Sequence, residues 1–207
     1  ETEINDKINI TCTNSSLIIG KDCDIKSNIL IECNSNSYIK IDDKCRIGSN
    51  VKILCGDNSK VQLDTASRML DDSLIGSFNK SSIHIGKKAI FHIRTTFFSE
   101  KQSEINVGEE TIAGVHFICV TKFGGKIDIG RDCLFSEDVV FMNNDGHPIF
   151  NVESGERING GKSIIIDEHV WIGIKCTILS KARVREGSII GANSLINKEF
   201  PNNCIIA

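Results

Sequence analysis

A chain of 207 residues with 24 Lys and Arg against 27 Asp and Glu carries a net charge of −3. The charges are mixed along its length, which argues against a nucleic-acid surface and against an acidic disordered tail. No apolar run approaches the roughly 18 residues of a membrane span, and no signal-peptide pattern is present in the sequence as it stands.

From Ile19 onward the chain repeats every 22 residues: Ile19, Ile41, Leu63, Ile85, Val107 and Ile129 form one column. Six residues after each come Ile25, Ile47, Met69, Phe91, Ala113 and Phe135, and six further on Ile31, Ile53, Ile75, Phe97, Cys119 and Phe141. One unit is thus three hexads and a four-residue spacer, and a sustained fixed period is the mark of a solenoid. Within a hexad, apolar residues at i−2 and i flank an outward residue, as a short strand requires. Gly20, Gly86, Gly108 and Gly130, with Asp42 and Asp64, follow the aliphatic directly and are read as turn residues that tolerate unusual φ. Three short strands and three tight corners predict a triangular coil of parallel strands, a single all-β domain over residues 1–207.

Of nine cysteines, most fall in the columns of the repeat. Cys23, Cys45, Cys133 and Cys176 share a place with Ala89 and Val170; Cys33 and Cys55 share another with Ser77, Ser99 and Thr121. They read as small core residues, not as disulfides. No CxxC pair occurs, so a metal site is not expected, and free thiols suit a reducing cytoplasm.

The repeat breaks once. The spacer column Ser37, Ser59, Ser81, Ser103, Gly125 ends in His147, preceded by Asp145 and Gly146. The pattern then lapses over residues 148–162, a predicted protruding loop, and long unpatterned loops are often functional. Hexads resume without spacers at Ile166, Ile172, Ile178, Val184, Ile190 and Ile196, an 18-residue coil repeated. Glu1 and Cys204 to Ala207 read as cut ends.

The hexads, DGHPI at 145–149 and VWIG at 170–173 together resemble the hexapeptide-repeat acyltransferases. That resemblance implies a left-handed parallel β-helix, usually a homotrimer; general rules for parallel crossovers would favour the right hand. GHP followed by VWIG is shared with the maltose and galactoside O-acetyltransferases, in which the histidine is the base. The enlarged N-terminal coils resemble more the capsular polysialic acid O-acetyltransferases, which pair a catalytic histidine with a tryptophan. The resemblance therefore implies acetyl-CoA as cosubstrate and a bacterial capsular or cell-surface glycan as acceptor, sialic acid or polysialic acid being the preferred guess. The enzyme would be cytoplasmic, at or near the inner face of the membrane.

Acetyl transfer to a hydroxyl needs a base, and histidine is suited to it near neutral pH. His147 is the candidate. Asp145 is placed to orient the imidazole or to bind acceptor hydroxyls. Trp171, the only tryptophan, should point outward beside Ile172, to stack on a sugar, to donate its indole N–H, or to pack between subunits. Counting from the tryptophan, the galactoside enzymes' coenzyme-contacting positions fall on Ile174, Ala192, Asn197 and Lys198. Gly173 and Gly191 would admit the pantetheine arm. Glu153 and Arg157 read as solvated loop residues. No cysteine or serine sits where His147 would activate it, so direct transfer is expected rather than an acyl-enzyme. N-acetylation of an amino-sugar nucleotide would use the same fold and base. A carbonic anhydrase on this coil would need an H-x4-H pair that the chain lacks, and a purely structural solenoid gives no reason for the break.

Overall fold

The structure, a computed structural model, describes residues 3–4, 7–144 and 146–207. It is a left-handed parallel β-helix of triangular section, built among the described residues from sheets of ten, nine and nine strands, with no helix. Each coil visits the three faces in turn. The first face includes Arg46–Ile47, Leu134–Phe135 and Trp171–Ile172. The second includes Lys52–Cys55, Leu74–Phe78 and Val140–Met142. The third includes Lys60–Leu63, Lys126–Ile129 and Ile164–Ile166. All strand pairs are parallel, and the 22-residue columns become neighbours, as in Ile83↔Ile105 and Val107↔Ile129.

Side chains alternate in and out, and the inward apolar columns fill the prism. Ile41, Leu63, Ile85, Phe91, Phe97 and Phe141 are buried. In the middle coils the filling is aromatic: Phe117 lies 5.4 to 5.8 Å from Phe97, Phe135 and Phe141. Such a close-packed stack resists truncation.

All nine cysteines are free and seven are buried. Cys23, Cys45, Cys133 and Cys176 donate their thiols to carbonyls of the neighbouring coil, those of Asp42, Asp64, Asp167 and Gly191, at 3.0 to 3.3 Å. Thr111 spends its hydroxyl the same way on the Gly130 carbonyl.

Three details depart from the sequence reading. The corner glycines are not there for positive φ. That conformation belongs to Asp22, Lys44, Lys88, Glu110 and Asp132, two residues on, with φ of 52° to 61°. Gly86 and Gly130 instead clear the next coil, since a Cβ on either would lie 2.7 Å from Glu109 N or Asp167 C. The helix also starts before Ile19, with strands Glu3–Ile4 and Ile8–Cys12 paired to the coil after them in a 21-residue register. This one-residue change, and a strand Ile8–Cys12 that is largely exposed, hide the first coil from a 22-residue pattern. Finally, the last coil is shorter than 18 residues: Arg183 pairs with Glu199 and Ile189 with Ile205, 16 apart. The corner at Asn197 and Lys198 has lost two residues. Among the described residues no helix is long and apolar enough to cross a membrane, and no group of three metal-ligating side chains is found.

Candidate active site

The wall of the prism opens at one corner, between the second and third faces, where the strand Val140–Met142 ends. In earlier coils the N–H groups of Asn34 and Gly56 bond to the main-chain carbonyls of Cys55 and Ser77. At the equivalent place the Lys122 N–H goes to the side-chain oxygen of Asn143 at 2.9 Å, and the Asn143 amide nitrogen returns a bond to the Lys122 carbonyl at 3.2 Å. Asn143 thus replaces the backbone ladder with its side chain, and its own main chain is free to leave the prism. The amide is fully buried, so both its ends must be satisfied. Gly125 and Gly161 make room for it; a Cβ on either would collide with the Asn143 amide. Asn144 Nδ2 donates to Asn143 Oδ1 at 2.8 Å, and Asn144 Oδ1 accepts the Gly146 N–H at 2.8 Å. Gly146, at φ 76°, then turns the chain into His147.

Beyond His147 the loop is a small ordered hairpin. Phe150 and Arg157 form an antiparallel bridge, and the Asn151 side chain accepts the Glu153 and Ser154 N–H groups at 2.8 and 3.0 Å. Asn159 fastens the base: its amide donates to the His147 carbonyl and its oxygen accepts the Ile149 N–H, both at 2.7 Å. Arg157 is not merely solvated. Its guanidinium lies 4.2 Å from the Phe123 ring centroid, and Lys101 Nζ lies 4.5 Å from the same centroid. The loop is therefore seated on the preceding coil. Glu153 is exposed.

The His147 side chain is exposed at this corner. Under the loop base lies a cleft of about 280 Å³ lined by Asn143, Asn144, Asn159, Lys162, Lys181 and Asn197, among others. Its lining is mixed, with Met142, Ile158 and Leu179 beside the amides and two lysines, which suits a ligand that carries amides and phosphates on an apolar arm. Asn197 is the residue of the expected coenzyme set that this cleft contains. Lys198 is next in sequence, with its ammonium 5.3 Å from the Phe200 ring centroid. Asp145 lies outside the described residues.

Trp171 is on the first face, which stands opposite the corner that bears His147. It is 48% exposed, between Leu134 and Ile189 on adjoining strands. Gly173 and Ile174, then Gly191 and Ala192, follow at the edge between the first and second faces. A Cβ on Gly173 would meet Ala192 N at 2.8 Å, so this glycine serves coil stacking. Within one chain the cleft joins Asn197 to Asn159, whose amide holds the His147 carbonyl; Trp171, Gly173, Ile174, Gly191 and Ala192 do not line it.

Asn143, Asn144 and Asn159 were missed by motif reading. One signal was available: the column Cys33, Cys55, Ser77, Ser99, Thr121 ends in Asn143, an amide where every earlier member is a small buried residue.

No protein-family model matches the sequence. The coil defines the class of fold, a hexapeptide-repeat left-handed β-helix, and the proteins it is similar to are acyltransferases. Within that class it is related to the polysialic acid O-acetyltransferases. It is 53% identical over 55 residues to the polysialic acid O-acetyltransferase of Neisseria meningitidis, covering 27% of this chain and 26% of that protein. It is 34% identical over 82 residues to that of Escherichia coli O1:K1, covering 40% and 27% respectively. Each match thus spans only about a quarter of the relative's length. The fold superposes on the crystal structure of the polysialic acid-specific acetyltransferase NeuO with a TM-score of 0.64 at 25% identity, over 97% of this chain and 82% of that one.

Proposed function

We propose that this chain is an acetyl-CoA-dependent O-acetyltransferase of a bacterial cell-surface glycan, with polysialic acid as the preferred acceptor, and that its active site lies between neighbouring copies of a homotrimer. The observation that carries the reading is the single opened corner. Two buried asparagines and two clearing glycines release the main chain where an exposed histidine follows, and a cleft lies under the base of the same loop. A structural solenoid has no use for such a break.

Acetyl-CoA supplies the acetyl group as a thioester, and the cleft with Asn197, Lys162 and Lys181 is where its arm would lie. His147 takes the proton of the acceptor hydroxyl as that oxygen attacks, and returns it to the departing sulfur. Asn159 holds the main chain at His147, and so fixes where the imidazole starts. Base catalysis of this kind contributes roughly 10²–10⁴-fold.

The trimer reading is supported by the separation of His147 and Trp171 on one prism and by the surface. The outward column of the first face is charged over the early coils, with Asp24, Arg46 and Arg68, and from the middle of the prism onward reads Ile90, Ile112, Leu134, Trp171, Ile189, Ile205. The second face adds Ile118, Val120, Met142 and Leu195, whereas the third presents His84, Glu104, Asn106, Lys126 and Asp128. An apolar stripe of this length marks an interaction surface. Laying the late coils of one prism's first face against the late coils of its neighbour's second face brings Trp171 toward the neighbour's His147 corner and leaves the early coils of the second face, with Phe78 and Phe98, outside the contact. There the indole can stack on the acceptor or donate to the developing oxyanion. A reducing compartment suits the nine free thiols, and we assign the enzyme to the cytoplasm on that ground.

The reading is tested by thiol release from acetyl-CoA with polysialic acid, free sialic acid and other sugars as acceptors. Acceptor-dependent release, with polysialic acid preferred, is expected; release with none of them contradicts it.

A further inference from the structure

We propose that Phe78 and Phe98, on the second face, form a distal glycan subsite that holds one sugar of the acceptor while another sits at His147. The two rings lie 5.3 Å apart at 36°, both half-buried at the surface. Phe78 is seated on glycines: a Cβ on Gly56 would lie 2.6 Å from Phe78 Cδ1, and one on Gly76 would lie 2.8 Å from Phe78 Cε2. Gly76 stands inside the strand Leu74–Phe78, where glycine weakens a strand and often marks close approach of another group. Here the space is filled by an aromatic face laid flat along the wall.

The rings line a depression of about 420 Å³ with Asn34, Asp57, Asn79 and Glu100. A second depression of about 350 Å³ shares Asp57 and Asn79 and continues round the corner to Lys80 and Lys101. An apolar platform rimmed by amides, carboxylates and ammonium groups is matched to a sugar: the ring's C–H face on the aromatic, its hydroxyls and any carboxylate on the rim. The core of a protein–protein interface is depleted of such charges. Lys122 Nζ, 5.3 Å from the Phe98 ring centroid and 3.4 Å from Glu100 Oε2, carries positive charge toward the open corner.

Phe78, Glu100, Lys122 and Asn144 occupy one column on successive coils. At about 4.8 Å per coil the platform is roughly 14 Å from the base of the break. One sugar cannot occupy both places; a linked chain can. The cleft with Asn197 is on the other side of the break, so the acceptor would approach along the early coils and the thioester along the late ones.

This subsite rests on the glycan-acceptor reading, and its test separates the two. Polysialic acid binding is measured without acetyl-CoA by titration calorimetry on the whole chain, for the parent, H147A, F78A/F98A and F78L/F98L. The leucine variant keeps the apolar bulk and should melt like the parent. Parent and H147A are expected to bind alike, and both platform variants to lose about tenfold in affinity, as the loss of a stacked ring implies. In turnover, KM for the polymer rises by the same factor while kcat and KM for free sialic acid stay within about twofold. Polymer binding without acetyl transfer would keep the platform and sink the acetyltransferase reading. Unchanged polymer affinity in both variants, or dissociation of the assembly by F78L/F98L, overturns the platform whatever the enzyme does.

Discussion

At the level of single residues the chemistry concentrates on His147 and the polarity on Asn143. On the proposed mechanism, replacing His147 by alanine removes the base and should lower acetyl transfer by about 10²–10⁴-fold, with the melting temperature unchanged because the side chain is exposed. Steady-state kinetics with the accepted glycan decides it; activity within tenfold of the parent would assign the base elsewhere. Asn143→Ala acts differently. It strips the Lys122 N–H of its acceptor and leaves a buried donor unpaired, at a cost of about 1–3 kcal/mol. Amide exchange at Lys122 should accelerate in this variant while exchange in the N-terminal coils does not; equal protection would mean that the main chain recloses without the amide. The thiols set a pH limit. Burial pushes Cys45 and Cys133 up to about 11 and Cys55 to about 12, from an ordinary 9.0. A folded pKa above the unfolded one favours the neutral thiol, so this contribution is full below about pH 9 and is lost as pH rises through 11 to 12. Thermal melts under reducing conditions should therefore decline above about pH 9, and a flat profile to pH 11 would contradict the burial.

At the level of elements, the coil was legible because its period is long, regular and written in aliphatic residues. Ile41, Leu63, Ile85 and Val107 announce a column before any local propensity is considered. The loop was legible as the place where that column stops. What the sequence could not convey were contacts made by the backbone of another coil. Gly86 and Gly130 look like turn glycines in a string of letters, and only stacking shows that they clear a peptide plane. Asn159 stands 12 residues from His147 inside an unpatterned stretch, so no period points to it. Arg157 looked solvated because its partner, Phe123, belongs to the previous coil. The seating of the loop on that ring gives its own expectation. Phe123→Ala removes the platform under Arg157 and Lys101, and limited proteolysis should then cut between residues 148 and 162 faster than in the parent. Unchanged cleavage would mean that Asn159 alone holds the loop.

At the scale of the whole molecule the three faces differ in character, and that difference assigns their roles. The third face is polar and suits solvent. The first carries an apolar column that ends in Trp171, Ile189 and Ile205, and the second is apolar toward the same end. His147 and Trp171 lie on opposite sides of one prism with the packed core between them, so a site that uses both needs two chains. H147A and W171A are each expected to be inactive alone. If the site is shared, unfolding and refolding them together at equal amounts yields trimers in which His147 of one chain meets Trp171 of the next, and random assembly restores about a quarter of parental activity. Recovery near that fraction is the predicted result; a mixture no more active than either variant by itself would contradict the shared site.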